Sequence, residues 1–290
     1  MTYADPRPVR IAIDVGGTFT DLQIFDARTG AISSFKTLTT PEDPSIGLMT
    51  GIRQAARKKG FALADVGYLL HGTTIATNAV LERKLAKGAL VTTARFEDVI
   101  EIGRHYRREI YSLSPRVPPT LIPRDRRVGI EERIKADGSV ETPIATAAIE
   151  QLIQKLDGLE VMAVAICLLN SYLNPRHENA IAEAIARTRP ALKVSCSSTL
   201  SPEIREYERT STTILNALLI PIVSGYLDKL AARMRAEGFN PRLLLVQSNG
   251  GVCSADTAAQ EPVRLLLSGP SGGSAACALL GRLLGEANIV

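Results

Sequence analysis

The chain contains no tryptophan, and aromatic residues make up only 4% of its 290 positions. A surface that stacks nucleobases needs such residues, and a net charge of +4 is too small to mark a phosphate-backbone footprint, so no nucleic-acid partner is expected. Only three histidines occur, His71, His105 and His177, with no H-E-x-x-H spacing, and Cys167, Cys196, Cys253 and Cys277 form no C-x-x-C pair. This disfavours a zinc site and a disulfide framework, and predicts reduced, mostly buried thiols. No apolar run approaches a membrane span, and Met1 to Arg7 lack the apolar centre of a signal peptide. The expectation is a cytoplasmic protein with no membrane partner. There is no G-x-x-x-x-G-K-[ST] and no G-x-G-x-x-G, which leaves any nucleotide site to be built another way.

What is present begins with Ile11-Ala-Ile-Asp14-Val-Gly16-Gly17-Thr18-Phe-Thr20-Asp21. Alternating apolar residues deliver Asp14 at the end of a buried strand, two glycines turn the backbone, and a second strand leaves through Thr18 and Phe19. Such a tip suits a phosphate chain. Glycine lets ligand oxygens approach backbone N–H groups, Thr18 and Thr20 add hydroxyl donors, and Asp14 is placed to hold Mg²⁺. The plainer alternative is a tight hairpin whose polar residues only satisfy the turn.

Asp14 to Asp21 resembles the first phosphate loop of the actin, sugar kinase and Hsp70 superfamily, and its wording is similar to that of the hydantoinase A / 5-oxoprolinase family. Four further stretches in family order carry the resemblance. They are His71-Gly-Thr73-Thr74 through Lys84, Glu101-Ile-Gly-Arg104, Asn170-Ser171-Tyr172 through Glu178 with the Arg205-Glu-Tyr-Glu-Arg209-Thr-Ser-Thr-Thr213 run, and Ser268-Gly269-Pro-Ser271-Gly272-Gly273. Three positions depart from the family pattern: His105 stands where Gln is usual, Leu218 where Tyr is common, and Ser271 where Ala is usual.

The resemblance implies an α/β, actin-like (ribonuclease H-like) ATPase lobe, a mixed sheet flanked by helices with inserted segments. It implies an N-terminal domain over residues 1–200, with an insertion near 104–145, and the start of a core domain over 201–290. In the family a second phosphate loop follows the helix that begins at Ser268. Residues 285–290 stop short of it, so the expectation is an N-terminal piece carrying half of a two-lobed ATP clamp. The implied ligands are ATP and Mg²⁺, with Asp14, Gly16, Gly17, Thr18, Thr20, Gly269 and Gly272 binding cofactor and Asp14 holding the metal. The implied reaction is ATP-dependent opening of a cyclic amide. The implied partners are a small cyclic amide substrate and a hydantoinase B-type subunit or domain, in a homo- or hetero-oligomer.

The remaining residues admit two readings each. His71 and Thr73 either stand near substrate or belong to a strand and helix cap, with Gly72, Thr73 and Thr74 N–H groups at a strand-to-helix turn. Arg104, His105, Arg107 and Arg108, with Arg124, Arg126 and Arg127, either bind an anion or form a solvated basic face. Gln247-Ser248-Asn249-Gly250-Gly251 either orients an amide or builds a turn. The hydroxyl run after Arg209 faces a cleft, an interface or solvent. Periodicity predicts a short strand over Tyr68–Leu70, an alternating strand over Arg127–Ile134, and a helix capped by Asp43 that opens on Pro44 and stops at Gly60. Two rival functions stay open: a carboxylase subunit that activates a ketone enolate or bicarbonate, and a non-catalytic, ATP-switched protein of the reactivase kind. A folded fragment without activity of its own is a third.

Overall fold

The first strand, β1 (Val9–Val15), buries alternate residues from Val9 to Val15 and turns Arg10, Ala12 and Asp14 to the other face, as the Ile-Ala-Ile pattern requires. The computed structural model describes residues 5–104, 106, 109–114, 119–286 and 288. By internal contacts they form two units, Met1–Lys84 with Ile222–Val290, and Leu85–Pro221. His105, Arg107 and Arg108 lie outside the described residues.

In the first unit β1 is followed by β2 (Phe19–Asp26) and β3 (Ala31–Leu38), an antiparallel meander. Asp43 then caps α1 (Pro44–Lys59), accepting from Ser45 N at 3.1 Å, and Gly60 closes it at φ 73°, where glycine escapes the left-handed penalty. Leu48, Met49 and Ile52 of α1 are buried, on the side of the sheet that receives Ile11, Ile13, Leu22 and Ile24. β4 (Val66–Thr73) runs parallel to β1, and α2 (Ile75–Leu81) follows. The strand is longer than Tyr68–Leu70, the sequence expectation. Gly72 and Thr73 pair with Asp14 and Val15, so both belong to the sheet, and Thr74 alone forms the turn.

The second unit opens with β5 (Gly88–Thr93) and the short α3 (Val99–Ile102). β6 (Arg127–Ile130), β7 (Arg133–Ile134) and β8 (Val140–Thr142) follow, and the segment near 104–145 therefore supplies three strands to this unit. The expected continuous strand over 127–134 is broken because Glu132 turns inward and is buried. Next come α4 (Thr146–Leu159), β9 (Ala163–Cys167), α5 (Arg176–Thr188), β10 (Lys193–Cys196) and α6 (Ser197–Leu200). All five residues of β9 are buried, as its apolar run predicts. The sheet has the order β10-β9-β5-β6 and every pairing is parallel. Leu152, Leu156, Ile181 and Ile185 cover one face, and Ile214, Ala217 and Leu218 the other.

The last three come from α7 (Glu206–Ala236), whose Pro221 falls at the unit boundary. By length and composition α7 could cross a membrane, contrary to the sequence reading that no run is long enough, but 56% of its apolar window is buried, as in a core helix.

The chain then re-enters the first unit with β11 (Arg242–Val246), β12 (Val252–Ser254), α8 (Ala255–Gln260) and α9 (Ser268–Leu284). β11 lies parallel to β4 and antiparallel to β12, completing a mixed sheet in the order β12-β11-β4-β1-β2-β3. This is the actin-like α/β lobe expected from the sequence. A 3₁₀ turn over Pro262–Leu265 leads into α9, and Leu267 takes φ 58°. All four cysteines are free, but only Cys167 is buried, and Cys277 is exposed.

Candidate functional site

Strand pairing sets three charges in one row. Asp14 faces Asp21 across β1 and β2, and Asp21 faces Lys36 across β2 and β3. On the other side Asp14 neighbours Gly72 of β4. A cavity of about 270 Å³ lies on this face, lined by Asp14, Asp21, Gly72, Ser268, Gly269 and Gly272 among others. Gly72 is the gap that admits the Asp14 carboxylate: a Cβ there would stand 3.2 Å from Asp14 Oδ1. Partial burial, and next the facing Asp21, push the Asp14 carboxyl above its ordinary value. Two like charges set opposite each other favour a bound cation.

The glycine tip is braced by a residue the sequence reading missed. Thr39 donates from Oγ1 to Gly16 O at 2.9 Å and from N to Thr18 O at 3.0 Å. Thr20 is completely buried with its hydroxyl 3.0 Å from Thr39 Oγ1. It therefore holds the tip from beneath, where the sequence placed it on a phosphate. Gly16 N donates to Phe19 O at 3.0 Å, which leaves exposed Gly17 and Thr18 as the outward part of the loop. No heavy atom lies within 4 Å of a Cβ built at Gly17, so packing does not demand glycine there.

The start of α9 is tied to the same place. Ser268 Oγ donates to Thr73 O at 3.4 Å, Leu267 N to Thr77 Oγ1 at 3.3 Å, and Ser271 Oγ to Ser248 O. These bonds bring Gly269 and Gly272 to the cavity that Asp14 lines. No side chain caps the helix, so its first N–H groups and its dipole are available to an anion. Residues far apart in sequence thus set two carboxylates and an uncapped helix start around one cavity. Among the described residues no group of three or more His, Cys, Asp or Glu could hold a metal ion. One or two carboxylates fit Mg²⁺, which completes its shell with water and phosphate oxygens.

Other expected site residues lie elsewhere. His71 is completely buried, with Nε2 2.8 Å from Tyr226 Oη, and burial pushes its imidazole down to about 4. It sits in the core while its neighbour Gly72 lines the cavity. Thr73 is buried too, and its Oγ1 accepts from Ile75 N at 3.3 Å. Arg104, in the second unit, pairs with exposed Glu208 at 2.7 Å. In the Gln247 to Gly251 tip, Gly251 N donates to Asn249 Oδ1 at 2.9 Å and Gly250 N to Gln247 O at 3.1 Å, the bonds of a tight turn, and Ser248 N ties the tip to Arg264 O at 2.7 Å.

The 170–178 and 205–213 motifs meet inside the second unit. Arg209 is buried and donates to Ser197 Oγ at 2.8 Å, to Leu168 O at 2.9 Å and to Ser171 Oγ. Glu178 accepts from Leu168 N at 2.9 Å, Ser197 Oγ at 2.6 Å and Ser198 N at 2.8 Å. His177 Nδ1 lies 2.7 Å from Glu132 Oε2. Burial of polar atoms demands such partners, and among the groups named here only Arg209 Nε has none.

The depressed imidazole has a measurable consequence. Between the ordinary histidine value and about 4 the unfolded chain takes up a proton that folded His71 refuses, so stability falls as pH falls through that window. His71→Gln is expected to remove about 3 kcal/mol of this acid sensitivity between pH 7 and pH 4. Urea midpoints at both pH values measure it, and equal slopes for variant and wild type would refute it.

The profile described as hydantoinase/oxoprolinase N-terminal region matches residues 10–189, and the one described as hydantoinase/oxoprolinase matches residues 209–290. The chain belongs to the hydantoinase/oxoprolinase family. Within this family it is 33% identical to the caprolactamase subunit alpha of Pseudomonas jessenii, over 97% of this chain and 41% of that protein. The crystal structure of the ATP-dependent caprolactamase superposes with a TM-score of 0.85 over 95% of this chain and 41% of that one. The nucleotide-free structure of acetone carboxylase superposes with a TM-score of 0.83 at 28% identity, over 96% of this chain and 41% of that one. The chain thus spans about two fifths of the length of these relatives.

Proposed function

We propose that this chain is the nucleotide-binding portion of a cytoplasmic, ATP-dependent enzyme that opens a cyclic amide of the hydantoin, N-methylhydantoin or 5-oxoproline kind. The observation that carries the reading is the meeting of Asp14 and Asp21 with Gly269 and Gly272 around one cavity. The similarity to a caprolactamase subunit supports a cyclic amide as the substrate class.

A cyclic amide is a poor electrophile because its nitrogen lone pair is delocalised onto oxygen. When bound, ATP would supply a phosphoryl group to the amide oxygen, which opens the ring carbon to water; the ring C–N bond would then break with a proton passing to nitrogen, and a second water would release phosphate and the open-chain product. Asp14, with Asp21 beside it, would hold Mg²⁺, while the N–H groups of Gly17, Thr18 and the first turn of α9 would receive phosphate oxygens. The protein's contribution is positioning and charge neutralisation. Relatives described as alpha, beta and gamma subunits support a companion chain of the hydantoinase B type and a hetero-oligomer.

A second reading has specific support. The acetone carboxylase beta subunit and the acetophenone carboxylase gamma subunit are 28% and 31% identical to this chain, and the same site would serve phosphorylation of a ketone enolate or bicarbonate. The deciding experiment is ADP release by the complete protein purified with its companion chain. Stimulation by hydantoin, 5-oxoproline or caprolactam supports the amide reading. Stimulation only by a ketone with bicarbonate replaces it with the carboxylase reading.

A further inference from the structure

Lys36 belongs to none of the motifs that resemble a family, and its strand β3 lies at the edge of the six-stranded sheet. A lysine on an edge strand ordinarily protects the sheet from pairing with another chain, its side chain extended into water. Lys36, although its side chain is exposed, also has partners. Its Nζ lies 3.1 Å from Asp21 Oδ1 and 4.8 Å from the ring centroid of Phe19. Asp21 lines the Asp14 cavity, and Phe19 directly follows the Gly16–Thr18 tip. The ammonium is therefore held at the mouth of the candidate nucleotide site, against one of its carboxylates.

Charge counting gives that position a use. Asp14, Asp21 and Lys36 stand in one cross-strand row and together carry one net negative charge. A divalent cation reverses the sign of the row and competes with the ammonium for the Asp21 carboxylate. An ammonium on a flexible stem has three donors and re-aims at little cost. Once displaced from Asp21 it stands beside the tip whose N–H groups face the phosphates. We propose that Lys36 is a phosphate-contacting residue that pairs with Asp21 in the cation-free site and passes to the nucleotide when the cation binds. This rests on the nucleotide reading given above. It adds a residue to that site and makes the phosphate contact conditional on the metal.

The test is direct binding of a fluorescent N-methylanthraniloyl ATP to the complete protein, with Mg²⁺ and with EDTA, for wild type, Lys36→Met and Lys36→Arg. With Mg²⁺, Lys36→Met is expected to weaken binding about tenfold, as loss of one partly exposed charge-assisted hydrogen bond would, and Lys36→Arg to recover most of it. With EDTA, wild type and Lys36→Met are expected to bind equally weakly. Equal affinity of the two with Mg²⁺ overturns the phosphate contact. An equal loss with and without Mg²⁺ overturns the exchange with Asp21. Absence of Mg²⁺-dependent binding in the wild type overturns the nucleotide reading itself, and is distinguished from the other results by needing no variant.

Discussion

Asp14→Asn is expected to reduce ATP turnover by the complete protein on the order of a thousandfold, while leaving its melting temperature unchanged or slightly raised. Asparagine keeps the shape and can still accept one hydrogen bond, but it removes the charge that faces the cavity. Stability should not suffer, because the folded protein does not favour that charge. Burial and the facing Asp21 hold the Asp14 carboxyl above its ordinary value, so ionised Asp14 lowers stability wherever the pH exceeds its folded value, and the penalty fades as pH falls through it. A coupled assay for ADP and a thermal melt, run on the same preparation, read the two effects separately. Turnover near the wild-type level would remove Asp14 from the reaction, and a large fall in melting temperature would make it a residue of the fold.

Arg209→Ala should do the reverse. This guanidinium is completely shielded and links the turn after β9, the start of α6 and the first turns of α7. Removing it takes one donor from each of Ser171 Oγ, Ser197 Oγ and the Leu168 carbonyl, and takes away the cation that shares Ser197 Oγ with the Glu178 carboxylate. A loss of about 3–5 kcal/mol is expected from the urea denaturation of the second unit. Arg209→Lys should recover only part of it, since an ammonium lacks the planar fork that reaches several acceptors at once. A loss within about 1 kcal/mol would mean that water or a neighbour replaces the guanidinium without penalty.

The β1–β2 hairpin was legible because strict alternation around Asp14 admits one placement of its carboxylate, and the α1 boundaries because Asp43-Pro44 and Gly60 act locally. The errors came where a distant partner decides. β4 extends through Gly72 and Thr73 because β1 continues its ladder there to Asp14 and Val15, two residues past the point where pairing with β11 ends at His71. The strand expected over 127–134 breaks because Glu132 is drawn inward to His177 and Thr93. The buried role of Arg209 was hidden in a run of alternating charges that reads equally well as a solvated helix. Gly269 and Gly272 were named from resemblance alone, since nothing local in a small-residue helix says which cavity it will meet.

The interleaving of the two units bears on how the polypeptide folds. Leu85–Pro221 is continuous and its sheet needs no residue from outside, so it can form as soon as it is synthesised. The sheet that carries Asp14 cannot. β4 waits for β11 across the whole intervening unit, and the loop-closure entropy of that pairing must be met before its contacts form. The glycine tip at the front of the chain is made early, yet the cavity that gives it meaning closes last. Pulse-labelling hydrogen exchange during refolding should accordingly protect β9 before β4, and a chain halted before Arg242 should carry a structured second unit and an unfinished first one, a state with an open strand edge for a chaperone to recognise.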